Sequence, residues 1–136
     1  MNKNDVREWL RLANNDFTTS KVMLEHVDKP YEVVCYHCAQ AIEKLLKGFL
    51  IYHNILPAKT HNLIKLLEKC IEIDQRFDAF FDDFDFLNDV NNEVRYPDWI
   101  DLTDDFVIKS INIVERFIDF KPIKDLNYNS ECTEGE

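Results

Sequence analysis

The chain has 136 residues, a net charge of −10 and 46% hydrophobic residues, which suits one packed domain and excludes a disordered chain. The charge is uneven, at +2 over residues 1–71, −10 over 72–105 and −2 over 106–136. That balance argues against non-specific DNA or RNA binding and leaves room only for a small phosphate or nucleotide site in the first half. Two glycines and four prolines supply little hairpin chemistry, so helices joined by short loops are expected. The start, MNKNDVREWLRL, lacks the apolar core of a signal peptide, and no run of about 18 apolar residues occurs. The expectation is a cytoplasmic protein with no membrane contact.

The first helix is expected from about Asn4 to Val27. Val6, Leu10, Ala13, Phe17, Ser20, Leu24 and Val27 are spaced alternately by four and three, an apolar seam with one polar member. Trp9 and Met23 broaden it, and Asp28-Lys29-Pro30 ends it because proline disfavours helix at the preceding residue.

The second helix begins near Tyr31 and contains the stretch Tyr36 to Asn54, YHCAQAIEKLLKGFLIYHN. Val34, Cys38, Ala41, Ile42, Leu45, Leu46 and Phe49 share one side. With Cys35, Ala39 and Leu50 the apolar arc reaches roughly 200°, wider than the stripe of an ordinary surface helix, so neighbours must cover it on two or three sides. A narrow polar strip of Tyr36, His37, Gln40, Glu43, Lys44 and Lys47 remains. Gly48 costs about 1 kcal/mol relative to alanine in a helix interior, and its place at the edge of the arc suits a close helix crossing.

Pro57 marks the next connection, and Thr60 is the expected N-cap of a short helix carrying Leu63, Leu66, Leu67 and Cys70. A long acidic-aromatic helix follows. Phe77, Phe80, Phe81, Phe84, Leu87, Val90 and Val94 line one side, and Asp78, Asp82, Asp85 and Asp89 form a ridge almost opposite. Like charges so spaced repel by about 0.2–0.5 kcal/mol per pair, so packing must hold this helix. RYPDWID reads as a loop in which Trp99 folds back onto the bundle. Thr103 caps a last helix to about Phe120, with Leu102 and Val107 placed as a hydrophobic staple. Its seam is Val107, Ile111, Val114 and Ile118.

The candidate chemistry is sparse. Cys35 and Cys38 form a Cys-x-x-Cys inside a helix rather than opening one, and Cys70 and Cys132 are solitary, so the cysteines are expected to be structural, with neither disulfides nor a metal site. The aspartate ridge is either a solvated helix face or a surface for a cation or basic partner. His37, Gln40, Lys44 and Lys47 line one strip. This is either a solvent-facing edge with a Glu43–Lys47 ion pair, or an anion or nucleotide pocket shared with Lys59, Thr60 and His61. In the pocket reading, His61 and Asn62 occupy the first helical turn, where free amides favour phosphate. Arg95, in a loop with Tyr96 and Asp98, either pairs with Asp98 or Glu93 or contacts phosphate, for which its forked donors are suited. No Gly-Lys-Ser/Thr occurs, which excludes a P-loop; no cofactor is expected.

Four stretches, WLRLANNDF (Trp9 to Phe17), YHCAQAIEKLLKGFL (Tyr36 to Leu50), KTHNL (Lys59 to Leu63) and RYPD (Arg95 to Asp98), together resemble the HEPN family (higher eukaryotes and prokaryotes nucleotide-binding domain) in order and spacing. The resemblance, over roughly residues 5–120, implies an all-α, up-and-down antiparallel bundle of four to five helices, usually a homodimer. The bundle domain is expected over residues 1–121, and the polar, acidic composition from Pro122 onward reads as a weakly structured tail over 122–136. Small bacterial and archaeal members of the family look like partners of minimal nucleotidyltransferases, some as toxin–antitoxin pairs. Active toxin members are metal-independent ribonucleases with an Arg-x4–6-His motif. Arg95 matches the arginine, but no histidine follows His61, and metal-free RNA cleavage relies on such a group for proton transfer. The expectation is therefore a non-catalytic protein that binds a nucleotide, RNA end or nucleotidyltransferase partner. The alternatives are a ribonuclease using Arg95 with His61, and an adaptor working through its acidic helix face.

Overall fold

The computed structural model describes residues 5–28, 30–94 and 103–126, with side chains through Asp89 in the middle block. Among them every regular element is a helix, as expected. α1 runs Val6–Leu24, α2 Tyr31–Tyr52, α3 Leu63–Ile73, α4 Phe81–Val94 and α5 Asp104–Asp119, with a 3₁₀ stretch Gln75–Phe80 entering α4.

α1 is shorter than its apolar seam suggests. The Asp5 carboxylate accepts the Arg7 amide and caps the helix, and the chain leaves helix at Glu25. The polar seam member Ser20 is fully buried and shares its hydroxyl between the carbonyls of Asp16 and Val34. A buried hydroxyl needs such partners, and here they tie α1 to α2.

α2 is the centre of the bundle and packs against α1, α3, α4 and α5. Its predicted arc is buried throughout, from Val34 and Cys35 to Phe49 and Leu50. Ser20 meets Val34, Asp16 meets His37 and Trp9 meets Gly48, so α1 and α2 are antiparallel. α4 and α5 are antiparallel as well, since Phe84 packs on Phe117 and Phe86 on Phe106. The alternation is interrupted between α2 and α3. The connection 53–62 doubles back along α2 until His61 reaches Glu43, while Cys70 lies against the Leu46 carbonyl further on. α3 consequently runs in the general sense of α2, and α4 turns back so that Asn88 meets Asn62.

The acidic-aromatic segment begins as 3₁₀ rather than α-helix, started by Asp74, whose carboxylate accepts the Arg76 amide at 3.0 Å. Phe77, Phe80, Phe84 and Leu87 are buried as expected, and the three phenylalanine rings form one cluster with Phe117 and Phe120. Phe81 departs from the expectation and is 42% exposed, because the turn from 3₁₀ to α-helix rotates it off the apolar face. Asp78, Asp82, Asp85 and Asp89 are all exposed.

Thr103 holds the N-cap position of α5, but its side chain makes no capping bond. Leu102, the other half of the expected staple, and Trp99 lie outside the described residues. The segment from Pro122, expected to be tail, instead continues the domain. Residues 121–126 are helical, and Ile123 and Leu126 are buried at 0% and 2% exposure. Two apolar residues three apart sufficed to fold this polar-looking turn back onto the core.

Gly48 marks the closest approach of α1 to α2: a Cβ placed there would lie 3.3 Å from Trp9 Cβ and 3.8 Å from Leu10 Cδ2. The helix-propensity gain of alanine and the tight contact oppose each other. Gly48→Ala should leave urea-unfolding stability within about 1 kcal/mol of the parent. Gly48→Val should lose about 1–3 kcal/mol, as overpacked interfaces do.

Candidate functional site

The polar strip of α2 is built around two buried carboxylates, one of which belongs to another helix. Asp16 of α1 and Glu43 of α2 are 8% and 4% exposed. Each holds one histidine and one lysine.

Asp16 receives His37 Nδ1 at 2.7 Å on one carboxylate oxygen and the Lys44 ammonium on the other. Glu43 receives Lys47 Nζ at 3.1 Å and His61 Nδ1 at 2.9 Å. The expected Glu43–Lys47 ion pair is therefore present, but on a buried rather than a solvent-facing glutamate. Lys47 is further covered by the Trp9 ring, 5.8 Å from its ammonium.

Charges removed from water this far need partners, because desolvation otherwise exceeds the Coulomb gain. Each carboxylate obtains them from two elements: Asp16 bridges α1 to α2, and Glu43 bridges α2 to the connection preceding α3. An ionised carboxylate only accepts hydrogen bonds, so both histidines present Nδ1–H to it and keep Nε2 for another partner. Each lysine has three N–H donors and spends one on its carboxylate. The strip thus offers spare donors while its two lysines are neutralised by two acids. The His61 ring is the most open member, with its side chain 67% exposed against 27% for His37.

The remaining expected residues divide. Gln40 is half-buried on α2 between His37 and Lys44 in sequence, and Lys59 is exposed on the connection. Thr60 is not the N-cap of α3. Its hydroxyl accepts the Asn62 amide at 3.1 Å, and Asn62 is the cap, accepting from Ile64 and Lys65 at 3.0 and 3.3 Å. Asn88 of α4 accepts the Leu63 amide at 2.9 Å, and the Leu66 amide bonds the Asn62 carbonyl. All four leading amides of α3 are occupied, and His61 lies before the helix rather than in its first turn. The expected phosphate cradle at that helix end is corrected on this ground; what remains is the side-chain strip. Arg95 and Tyr96 lie outside the described residues.

Three of the four cysteines belong to the core, and Cys132 lies outside the described residues. Cys35, Cys38 and Cys70 are free and buried. Burial pushes the Cys38 thiol up to about 12 and raises Cys35 and Cys70 as well, which suppresses the reactive thiolate. No group of three or more metal-ligating side chains occurs among the described residues, and none of their helices is long and apolar enough to cross a membrane.

The HEPN domain family model matches residues 6–126. The chain belongs to the HEPN family. The match ends at Leu126, which is buried. No curated protein and no solved structure matches the chain. All four stretches that carry the resemblance fall within the HEPN match, and two of them supply both carboxylates: Asp16 comes from WLRLANNDF and Glu43 from YHCAQAIEKLLKGFL.

Sequence reading missed Asp16. The available signal was a carboxylate at the edge of the α1 apolar seam with no basic residue three or four positions away on its own helix. Such a group must find its cation on another element.

Glu43→Ala leaves Lys47 short of its partner and should lower urea-unfolding stability by about 2–4 kcal/mol. Asp82→Ala on the exposed ridge should stay within about 0.5 kcal/mol. Equal effects would remove the case for Glu43 as a structural hub.

Proposed function

We propose that this HEPN protein binds a nucleotide or an RNA end through the polar strip of α2, and that it is a binder rather than a ribonuclease. The observation that carries the reading is the pair of carboxylate clusters, which hold Lys44, Lys47, His37 and His61 in fixed positions with unused N–H donors or ring nitrogens. Preorganised donors of this kind suit phosphate oxygens, since little ordering remains to be done on binding. The two acids keep the strip from being a strong general polyanion site, in line with the acidic chain as a whole.

Catalysis is disfavoured because the Arg-x4–6-His pattern has no histidine in this sequence: nothing after His61 can serve. The partners that fit a HEPN chain of this kind are a second copy of itself and a minimal nucleotidyltransferase.

Calorimetric titration with nucleoside mono- and triphosphates should give measurable heat for the wild-type chain. Lys44→Ala should bind roughly tenfold more weakly, as loss of one charge-assisted contact predicts. Silence with every nucleotide, in calorimetry and in thermal shift, would remove the proposal.

One observation favours a second reading. His61 has a largely exposed ring with Nδ1 fixed by buried Glu43, the arrangement that orients a histidine for proton transfer at Nε2. With Arg95 it would form a metal-independent ribonuclease. On this reading, total RNA is cleaved by the wild type and left intact by both His61→Ala and Arg95→Ala. Cleavage that survives Arg95→Ala rules it out.

A further inference from the structure

Three large aromatic side chains among the described residues are 40% or more exposed: Tyr36 at 42%, Tyr52 at 44% and Phe81 at 42%. Their surroundings differ in charge. Phe81 lies between Asp78, Asp82 and Asp85 of the acidic ridge. Tyr52 lines a separate cleft of about 240 Å³ of mixed charge, where Asp74 is paired with Arg76, and His53 and Asp125 also line the wall. The first setting repels an anion, and in the second the arginine is already taken up by Asp74. Tyr36 is on the strip itself, one helical turn before Gln40 and two before Lys44, about 6 and 12 Å along the axis. Its ring meets the His37 ring edge to face, with centroids 5.3 Å apart and planes at 85°. His37 is in turn fixed by Asp16.

We infer that Tyr36 is the base-stacking residue of the strip, so that the ligand is a nucleobase-bearing phosphate of the single-stranded kind rather than a phosphate or sugar phosphate alone. The inference rests on the phosphate-binding reading above and adds the part of the ligand that gives it identity. An exposed aromatic beside cationic donors is the combination by which proteins hold unpaired nucleotides: the ring takes the base, the donors take the backbone. Stacking tolerates any base, because every base has a π-face. The anchored His37 ring restricts Tyr36 before the ligand arrives, so less freedom is lost on binding.

The test is calorimetry on the full chain with AMP, UMP and ribose 5-phosphate. The wild type should bind AMP and UMP with similar affinity, and ribose 5-phosphate roughly tenfold more weakly. Tyr36→Phe, which keeps the ring, should bind AMP like the wild type. Tyr36→Ala should bind AMP roughly tenfold more weakly while its affinity for ribose 5-phosphate is unchanged. If Tyr36→Ala binds AMP as well as the wild type, or ribose 5-phosphate matches AMP, the stacking role is overturned and the phosphate reading stands. If none of the three probes binds the wild type, both fall.

Discussion

The structure depends on the burial of α2. A 22-residue helix that touches four others can expose only what its neighbours leave uncovered. The rest of the chain is arranged to cover it: α1 closes at Gly48, where the missing side chain lets Trp9 approach, and the phenylalanine cluster of α4 and α5 closes on Phe49 through Phe77. Hydrophobic burial is non-directional, so it fixes that α2 is central without fixing how the neighbours are rotated about it. Directional contacts supply the rotation. Ser20 to Val34, Asp16 to His37 and Lys44, and Glu43 to His61 each join α2 to a different element or turn at one register.

Those contacts make the strip structural and available for chemistry at once. A lysine pointing freely into water would be a weak, mobile ligand for phosphate; one already held by a buried carboxylate has lost its freedom before any ligand arrives. The cost is competition, because an incoming anion meets a carboxylate directly behind each ammonium. Histidine resolves part of that conflict. Its Nδ1–H satisfies the acid while Nε2 stays available on the far side of the ring. The use of one histidine and one lysine at each carboxylate therefore keeps both charges buried and satisfied while leaving polar atoms for a partner.

Much of this was legible in the residues. Heptad-like spacing located α1, α2 and α5, and the width of the α2 arc correctly implied cover on several sides. The HEPN resemblance rested on four short stretches and holds over residues 6–126. Several features were not legible, for different physical reasons. Thr60 and Asn62 both carry N-cap side chains, and what selects Asn62 is Asn88, twenty-six positions later, which bonds both the cap and the first helical amide. The doubling back of the 53–62 connection follows from His61 reaching Glu43, a contact between residues that no periodicity relates. Residues 121–126 looked like tail because two apolar side chains make no pattern by themselves; Ile123 and Leu126 are nonetheless buried, Leu126 beside Phe49 and Ile73.

Asp16 shows the general form of the last gap. Helical periodicity marks where apolar residues go, and a polar residue beside the seam is ordinarily read as its edge. Yet a carboxylate at a helix contact has few permitted states: protonated, paired with its own helix, or paired with the neighbour. The absence of any lysine, arginine or histidine at positions 12, 13, 19 and 20 removes the second. The partner then had to be a cation on the helix packed antiparallel to α1, at a height matching residue 16. Ser20 opposite Val34 and Gly48 opposite Trp9 bracket that height between residues 34 and 48 of α2. Only His37, Lys44 and Lys47 in that span carry a basic group, and two of the three are the observed partners. One antiparallel register and one unpaired carboxylate were thus enough to reach half of the strip.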